Sequence, residues 1–297
     1  MRISANGIAI EVDIQGPADG EPLLLIMGLG MQLTGWPDEL VADLAGRGHR
    51  VIRFDNRDAG LSQRFDDAGL PSLWRAALRH TLHLHVSSPY RLRDMAEDSV
   101  AVLDALGIAS AHVCGASMGG MIAQHVAARH PQRVKSLTLI MTTSGHWRLP
   151  QPGWTVRQAL LRRPRSESVA DVVAHLTSLF GLIGSPGWRD DPARVKARME
   201  ASVRRAWNPA GTARQLVAVA ADGDRSPLLG QIHAPTQVIH GAADPLVPPE
   251  GGRDLARKIH GAQLELIDGM GHDLPLALLP RIAALIAGNA QRAGPSA

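Results

Sequence analysis

Gly115-Ala116-Ser117-Met118-Gly119 sets a serine between glycines, directly after the apolar run His112–Cys114 and directly before a helical pattern reaching Arg129. A serine on a sharp strand-to-helix turn is held in strained backbone geometry with its hydroxyl exposed, and flanking glycines let chain and substrate come close. The N-terminus of the following helix favours negative charge developing beside it. The hydroxyl is a poor nucleophile until a base takes its proton. Among 13 histidines the best placed is His272, in Gly269-Met270-Gly271-His272-Asp273, just after the last strand-like segment. Asp244, in Gly241-Ala242-Ala243-Asp244-Pro245, follows the penultimate strand and can orient the imidazole. Singly, these residues read as a glycine turn, an Asp-Pro turn and a loop histidine. Together, in the order Ser, Asp, His and each after the C-terminal end of a strand, they describe nucleophile, base and orienting acid for acyl transfer. The oxyanion of such a reaction needs backbone donors. The N–H of Met118, next after the serine, and that of Leu29, in the loop Gly28-Leu29-Gly30, are the candidates.

Other clusters point elsewhere less well. Gly28-x-Gly30 follows a strand and Asp55 ends the next, which suggests a dinucleotide site. The third glycine position is Leu33, however, and the helix starts only near Pro37, so no phosphate would sit on its N-terminus. Asp55-Asn56-Arg57-Asp58-Ala59-Gly60-Leu61-Ser62 reads as an internally hydrogen-bonded turn. His80-x-x-His83-x-His85 invites a metal, with His83 and His85 on one face of a strand. No cysteine or acid has fitting spacing nearby, so a surface or pocket-lining cluster is expected and no metal or cofactor is assigned.

These groups need a scaffold, and the apolar patterning supplies one. Strands are expected at Ile8–Ile14, Leu23–Met27, Arg50–Phe54, His112–Gly115, Val134–Met141, Thr236–His240 and Gln263–Ile267. Helices are expected at Pro37–Ala45, Leu92–Leu106 (stopped by Gly107), Gly119–Arg129, Gly251–His260 and Leu274–Ala287. The alternation is that of an α/β fold with a mostly parallel central sheet flanked by helices. Between about Gly145 and Arg225 it lapses into helical stretches with prolines and four of the six tryptophans. The expected division is a core of residues 1–144 and 226–290, an inserted helical cap of residues 145–225 and a flexible tail at 291–297, with fraying from Gly288 onward. Trp147, Trp154, Trp188 and Trp207 read as cap core or pocket wall.

Composition narrows the classes. At 297 residues and 45% hydrophobic, the chain can bury a sizeable core and is not globally disordered. No apolar run approaches the roughly 20 residues that span a bilayer, so no membrane partner is expected. With no apolar leader pattern after Met1 and a lone cysteine, Cys114, the cytoplasm is the expected compartment. Aromatic residues are 3% of the chain and no compact basic run stands out, which argues against nucleic acid. Residues 146–225 hold 13 Arg/Lys against 7 Asp/Glu, a basic segment in a chain of net charge +3. Arginines solvating exposed helix faces account for it more simply than attraction of anionic substrates.

The Ser117, Asp244 and His272 motifs together resemble the α/β-hydrolase superfamily over about residues 8–145 and 226–287. Met27-Gly28-Leu29-Gly30, Gly35-Trp36-Pro37-Asp38-Glu39-Leu40, Arg53 through Ser62 and Gly269-Met270-Gly271-His272 look more particularly like polyketide methyl esterases of the aclacinomycin methylesterase type and related carboxylesterases. Many members carry histidine before the oxyanion-loop glycine, where this chain has Met27. The resemblance implies an α/β-hydrolase fold with a cap and serine hydrolysis of a small-molecule ester without cofactor. Its substrate follows from the variable cap, and it leaves monomer or homodimer open. Proline-iminopeptidase-like cleavage, carbon–carbon bond hydrolysis on the same residues, and a non-catalytic ligand-binding protein of this fold stand as alternatives.

Overall fold

The computed structural model describes residues 1–294 except His83. Strands β1 (Arg2–Ala5), β2 (Ile8–Gln15), β3 (Glu21–Ile26), β4 (His49–Phe54), β5 (Ala111–Ala116), β6 (Val134–Ile140), β7 (Thr236–Gly241) and β8 (Gln263–Ile267) form one sheet in the order β1-β2-β4-β3-β5-β6-β7-β8. The pairs β1/β2 and β2/β4 are antiparallel and all others parallel. The chain pattern had not indicated β1. Asn6 and Gly7, with φ of 51° and 74°, form the tight hairpin turn that returns it onto β2.

Helices α1 (Asp38–Gly46), α2 (Leu73–Thr81), α3 (Leu92–Ala105), α4 (Met118–Arg129), α5 (Trp154–Leu161), α6 (Val169–Ile183), α7 (Pro192–Arg205), α8 (Pro209–Asp222), α9 (Ser226–Leu229), α10 (Glu250–Lys258) and α11 (Leu279–Gln291) complete the fold. One sheet face buries apolar residues of α3, α4 and α10, such as Met95, Ile122 and Leu255. The other buries α1 and α11 through Leu40, Leu44, Ile282 and Ile286. Connections leave β3 toward one edge and return past it to β5, so the strand order reverses between β3 and β5. In open α/β sheets the crevice at such a reversal receives ligands. The loop after β3 and the turn after β5 stand there.

Three expectations need correction. Gly288–Gln291 is the last turn of α11 and is tied down: buried Asn289 donates to the carbonyls of Leu137 (2.9 Å) and Pro235 (3.3 Å), and Arg292 to those of Thr236 (3.2 Å) and Gly261 (3.0 Å). Residues 295–297 of the expected tail lie outside the described residues. His80 belongs to helix α2 and His85 to irregular chain, not to a strand; His83 lies outside the described residues. Of the four tryptophans, Trp147 and Trp154 are 59% and 72% exposed, so neither is core. Only Trp207 packs against the small apolar cluster of α6 and α7, Val172, Val173, Met199 and Val203. Among the described residues no helix is long and apolar enough to cross a membrane.

The amino edge of the sheet, opposite the crevice, carries a pH-sensitive pair. His112 on β5 and His49 on β4 meet edge to face with ring centroids 5.8 Å apart. Burial, with the neighbouring His49 and Lys135, pushes His112 down to about 4, and burial also lowers His49. The unfolded chain takes up a proton on this residue near the ordinary 6.5, the folded chain only near 4, so acid favours unfolding. Stability is therefore expected to hold above about pH 6.5 and to fall as the pH drops toward 4, with His112 accounting for about 3 kcal/mol. Urea unfolding at pH 7 and pH 4.5 checks this. A His112→Asn chain should lose about 2 kcal/mol less over that interval; an unchanged loss would count against it.

Candidate active site

Ser117 sits at the turn from β5 into α4 with φ 54° and ψ −120°, a region that side-chain-bearing residues rarely occupy. Its neighbours make the turn possible. A Cβ on Gly115 would lie 2.2 Å from the Gly119 carbonyl oxygen, and one on Gly119 would lie 2.0 Å from that of Ile26. Helix α4 thus begins hard against β3 because position 119 has no side chain. The Ser117 N–H donates to the Ile140 carbonyl (2.9 Å), and Thr142 Oγ1 donates to the Ser117 carbonyl (2.7 Å). These bonds hold the strained residue from both sides.

The three residues expected from sequence meet here. His272 Nε2 is 3.0 Å from Ser117 Oγ, and His272 Nδ1 is 2.7 Å from Asp244 Oδ2. A carboxylate only accepts, so Nδ1 carries the imidazole proton and Nε2 presents its lone pair to the serine hydroxyl. Asp244 Oδ1 accepts from the N–H groups of Leu246 and Val247, both at 2.9 Å, which fixes the carboxylate plane. Behind it lies His240, which sequence reading passed over. Its Nε2 donates to the Val247 carbonyl at 2.8 Å and stands 3.6 Å from Asp244 Oδ2. Burial lowers its pKa, keeping this ring neutral beside the acid.

Leu29 and Met118 both border the cavity over Ser117. Met118 is the first residue of α4, so its N–H has no partner in the preceding turn of helix. The loop bearing Leu29 lies against the serine: a Cβ on Gly28 would be 3.1 Å from Ser117 Cβ. The cavity measures about 1790 Å³ and runs between the sheet edge and the α5–α8 layer. Among the described residues no group of three or more His, Cys, Asp or Glu is arranged to hold a metal ion.

The α5–α8 layer is fastened to the loops that form this site, through side chains that sequence reading missed. Gln215 on α8 accepts from the Gly30 N–H (2.8 Å) and donates to the Arg57 carbonyl (2.7 Å). Arg214, also on α8 and 1% exposed, grips Asp58 with Nε and Nη2 at 2.8 and 2.7 Å. Burial alone would raise the Asp58 pKa; bonds from Arg214, the Phe65 N–H and Tyr90 outweigh it and bring the pKa below the usual range. Arg205, at the end of α7, pairs with Asp55 (2.8 Å), whose pKa burial pushes up despite bonds from the Leu33 and Leu61 N–H groups. Gln32 Nε2 reaches the Ser202 and Ala206 carbonyls at 2.7 and 2.8 Å. On the other side of the site, the His272 N–H donates to the Ile183 carbonyl at the end of α6 (2.7 Å). The turn Asp55–Ser62 is internally bonded, Ser62 Oγ donating to the Asp55 carbonyl (2.6 Å), and is also a mooring post. The one signal for this in the chain is an Arg-Gln pair inside the otherwise small and apolar run Ala210–Ala221. Two arginines of the basic segment 146–225 are thus engaged in these pairs, while others, such as Arg157, Arg162 and Arg163, are exposed.

Comparison with known proteins agrees with this fold. The family model described as alpha/beta hydrolase fold matches residues 21–276. The chain is 32% identical to rhodomycin D methylesterase DauP of Streptomyces sp. (strain C5), covering 94% of both chains. It is 30% identical to rhodomycin D methylesterase DnrP of Streptomyces peucetius, covering 93% of both. Among solved structures, the enol-lactonase from Burkholderia xenovorans LB400 superposes with a TM-score of 0.69 at 24% identity, covering 97% of both chains.

Arg214→Met leaves the Asp58 carboxylate buried without its cation, a change that costs about 3 to 5 kcal/mol. Urea unfolding should register this loss, and limited proteolysis should then cut first within residues 145–225. A variant as stable and as protease-resistant as the parent would show that the pair does not fasten the layer.

Proposed function

Because the chain belongs to the alpha/beta hydrolase fold family, we propose that it is a carboxylic-ester hydrolase working through an acyl-enzyme, and that its substrates are methyl esters on large, mostly apolar bodies. The observation that carries the reading is the unbroken line of hydrogen bonds from Ser117 through His272 to Asp244 on the floor of a cavity of about 1790 Å³. The methylesterase relatives support the ester, and the cavity volume supports the bulky body.

In this mechanism Ser117 Oγ attacks the acyl carbon while its proton passes to His272 Nε2. The imidazolium is stabilised by Asp244, whose other oxygen is held by two backbone N–H groups. The N–H groups of Leu29 and Met118 take the oxyanion. The tetrahedral intermediate collapses with His272 giving its proton to the departing alcohol. Water then attacks the acyl-enzyme, again losing a proton to His272, and the serine leaves with that proton as the carboxylic acid is released. The α5–α8 layer serves as the cap that surrounds the substrate body, and Gln215 keeps the Leu29 loop in register through Gly30.

Methanol release from methyl esters of polycyclic aromatic acids, run beside p-nitrophenyl acetate, tests the proposal. Ser117→Ala should lower turnover of both by about four to six orders of magnitude while leaving the fold intact. Ester turnover that survives this change, or its absence in a folded parent across the series, would sink the reading. Gln215→Leu, which displaces the loop without touching the nucleophile, should reduce kcat by about 10- to 100-fold with little change in KM. A change confined to KM would place Gln215 in substrate binding instead.

A further inference from the structure

The mouth of the cavity has a surface that the proposed reaction does not use. On α2 and its C-terminal cap, Trp74, Leu78 and Leu82 follow one another at helical spacing and are 67%, 51% and 56% exposed, while Ala76 on the opposite face is buried. On α5, Trp154 and Leu161 are 72% and 65% exposed. Leu70, Trp74, Leu160 and Leu161 border the cavity and are also exposed, so both helices bring apolar surface to its rim. Single exposed apolar side chains are ordinary, but a contiguous band of them at an opening marks an interaction surface.

Charge selects the partner. Residues 68–93 contain four arginines and residues 145–166 contain five, and neither stretch contains Asp or Glu. Arg75 and Arg79 flank the apolar stripe of α2, and Arg157, Arg162 and Arg163 lie on or just beyond α5; all five are exposed. A second copy of this chain is a poor occupant, because a two-fold pairing of this rim sets arginine against arginine. Exposed tryptophan and leucine bordered by arginine, with no acid between, is the pattern of a helix that lies in the headgroup region of an anionic bilayer. That no helix among the described residues is long enough to span a membrane does not bear on this, since lying on one asks for an amphipathic face, not for length.

We propose that α2 and α5 dock the mouth of the cavity on an anionic lipid surface, so that apolar substrates enter from the bilayer. The surface stands on α2 and α5 rather than on Ser117, so its test needs no turnover.

Flotation of the full chain with vesicles checks it, using phosphatidylcholine alone and phosphatidylcholine with about 30% phosphatidylglycerol. The chain should float with the anionic vesicles only, and added salt should weaken the association. Arg75→Gln with Arg79→Gln should reduce partitioning by about 30-fold. Leu78→Ser with Leu82→Ser, at exposed positions away from the cavity, should reduce it as well. Equal binding to both vesicle types, binding to neither, or binding unaffected by both pairs of substitutions would overturn the proposal. So would a dimer in light scattering that these substitutions convert to monomer, since a second copy would then occupy the rim.

Discussion

The distance between α4 and β3 is the constraint from which the rest of the site follows. Helix α4 starts so close to β3 that position 119 has no room for a side chain, and the chain reaches that start only by turning through Ser117 at positive φ. The same closeness brings the loop after β3 beside the serine, setting Leu29 and Met118 on its flanks. A wider gap would allow ordinary residues and an unstrained turn, and would separate the two backbone donors. Strain at Ser117 is thus the local counterpart of a packing distance, held by the Ile140 and Thr142 hydrogen bonds.

The α5–α8 layer is joined to this arrangement at both of its working loops. Gln215 holds Gly30, and the Ile183 carbonyl holds the His272 N–H. Between them, the buried Arg214–Asp58 pair and the half-buried Arg205–Asp55 pair tie α8 and α7 to the turn after β4. The layer therefore does more than enclose a cavity: it contributes directly to the positions of the groups around Ser117. The Met27 position, where many relatives of the resembled superfamily carry histidine, fits this view. The loop's hydrogen bonds come from Asn56, which donates to the Met27 carbonyl at 2.8 Å, and from Asp55, Gln215 and Gln32.

Much of this was legible in the chain, for identifiable reasons. Parallel strands buried on both faces read as apolar runs, so β3 through β7 stand out, and the glycines around Ser117 mark a close approach in the chain itself. Ser117, Asp244 and His272 could be named because each follows a strand, a position visible in one dimension. What escaped notice lacks a local pattern. Arg214 and Asp58 are brought together across more than 150 residues of chain, and neither position reveals its partner. Helix α2 hid because its apolar stripe faces outward, against the usual reading of amphipathic spacing, and β1 because four residues are too few to show a period. The end of α11 reads as loose by composition, yet Asn289 is bonded to carbonyls that sequence places far away.

Helix α5 stands apart from its neighbours in the layer. Helices α6, α7 and α8 each contribute a hydrogen bond or ion pair to the sheet loops, whereas among the described residues α5 contributes none; Arg157 bonds only the nearby Pro152 carbonyl. Length and sequence on that side can vary without passing strain to Ser117 or His272. The chain thus holds the surroundings of Ser117 and His272 through α6, α7 and α8 and leaves α5 outside that set of bonds.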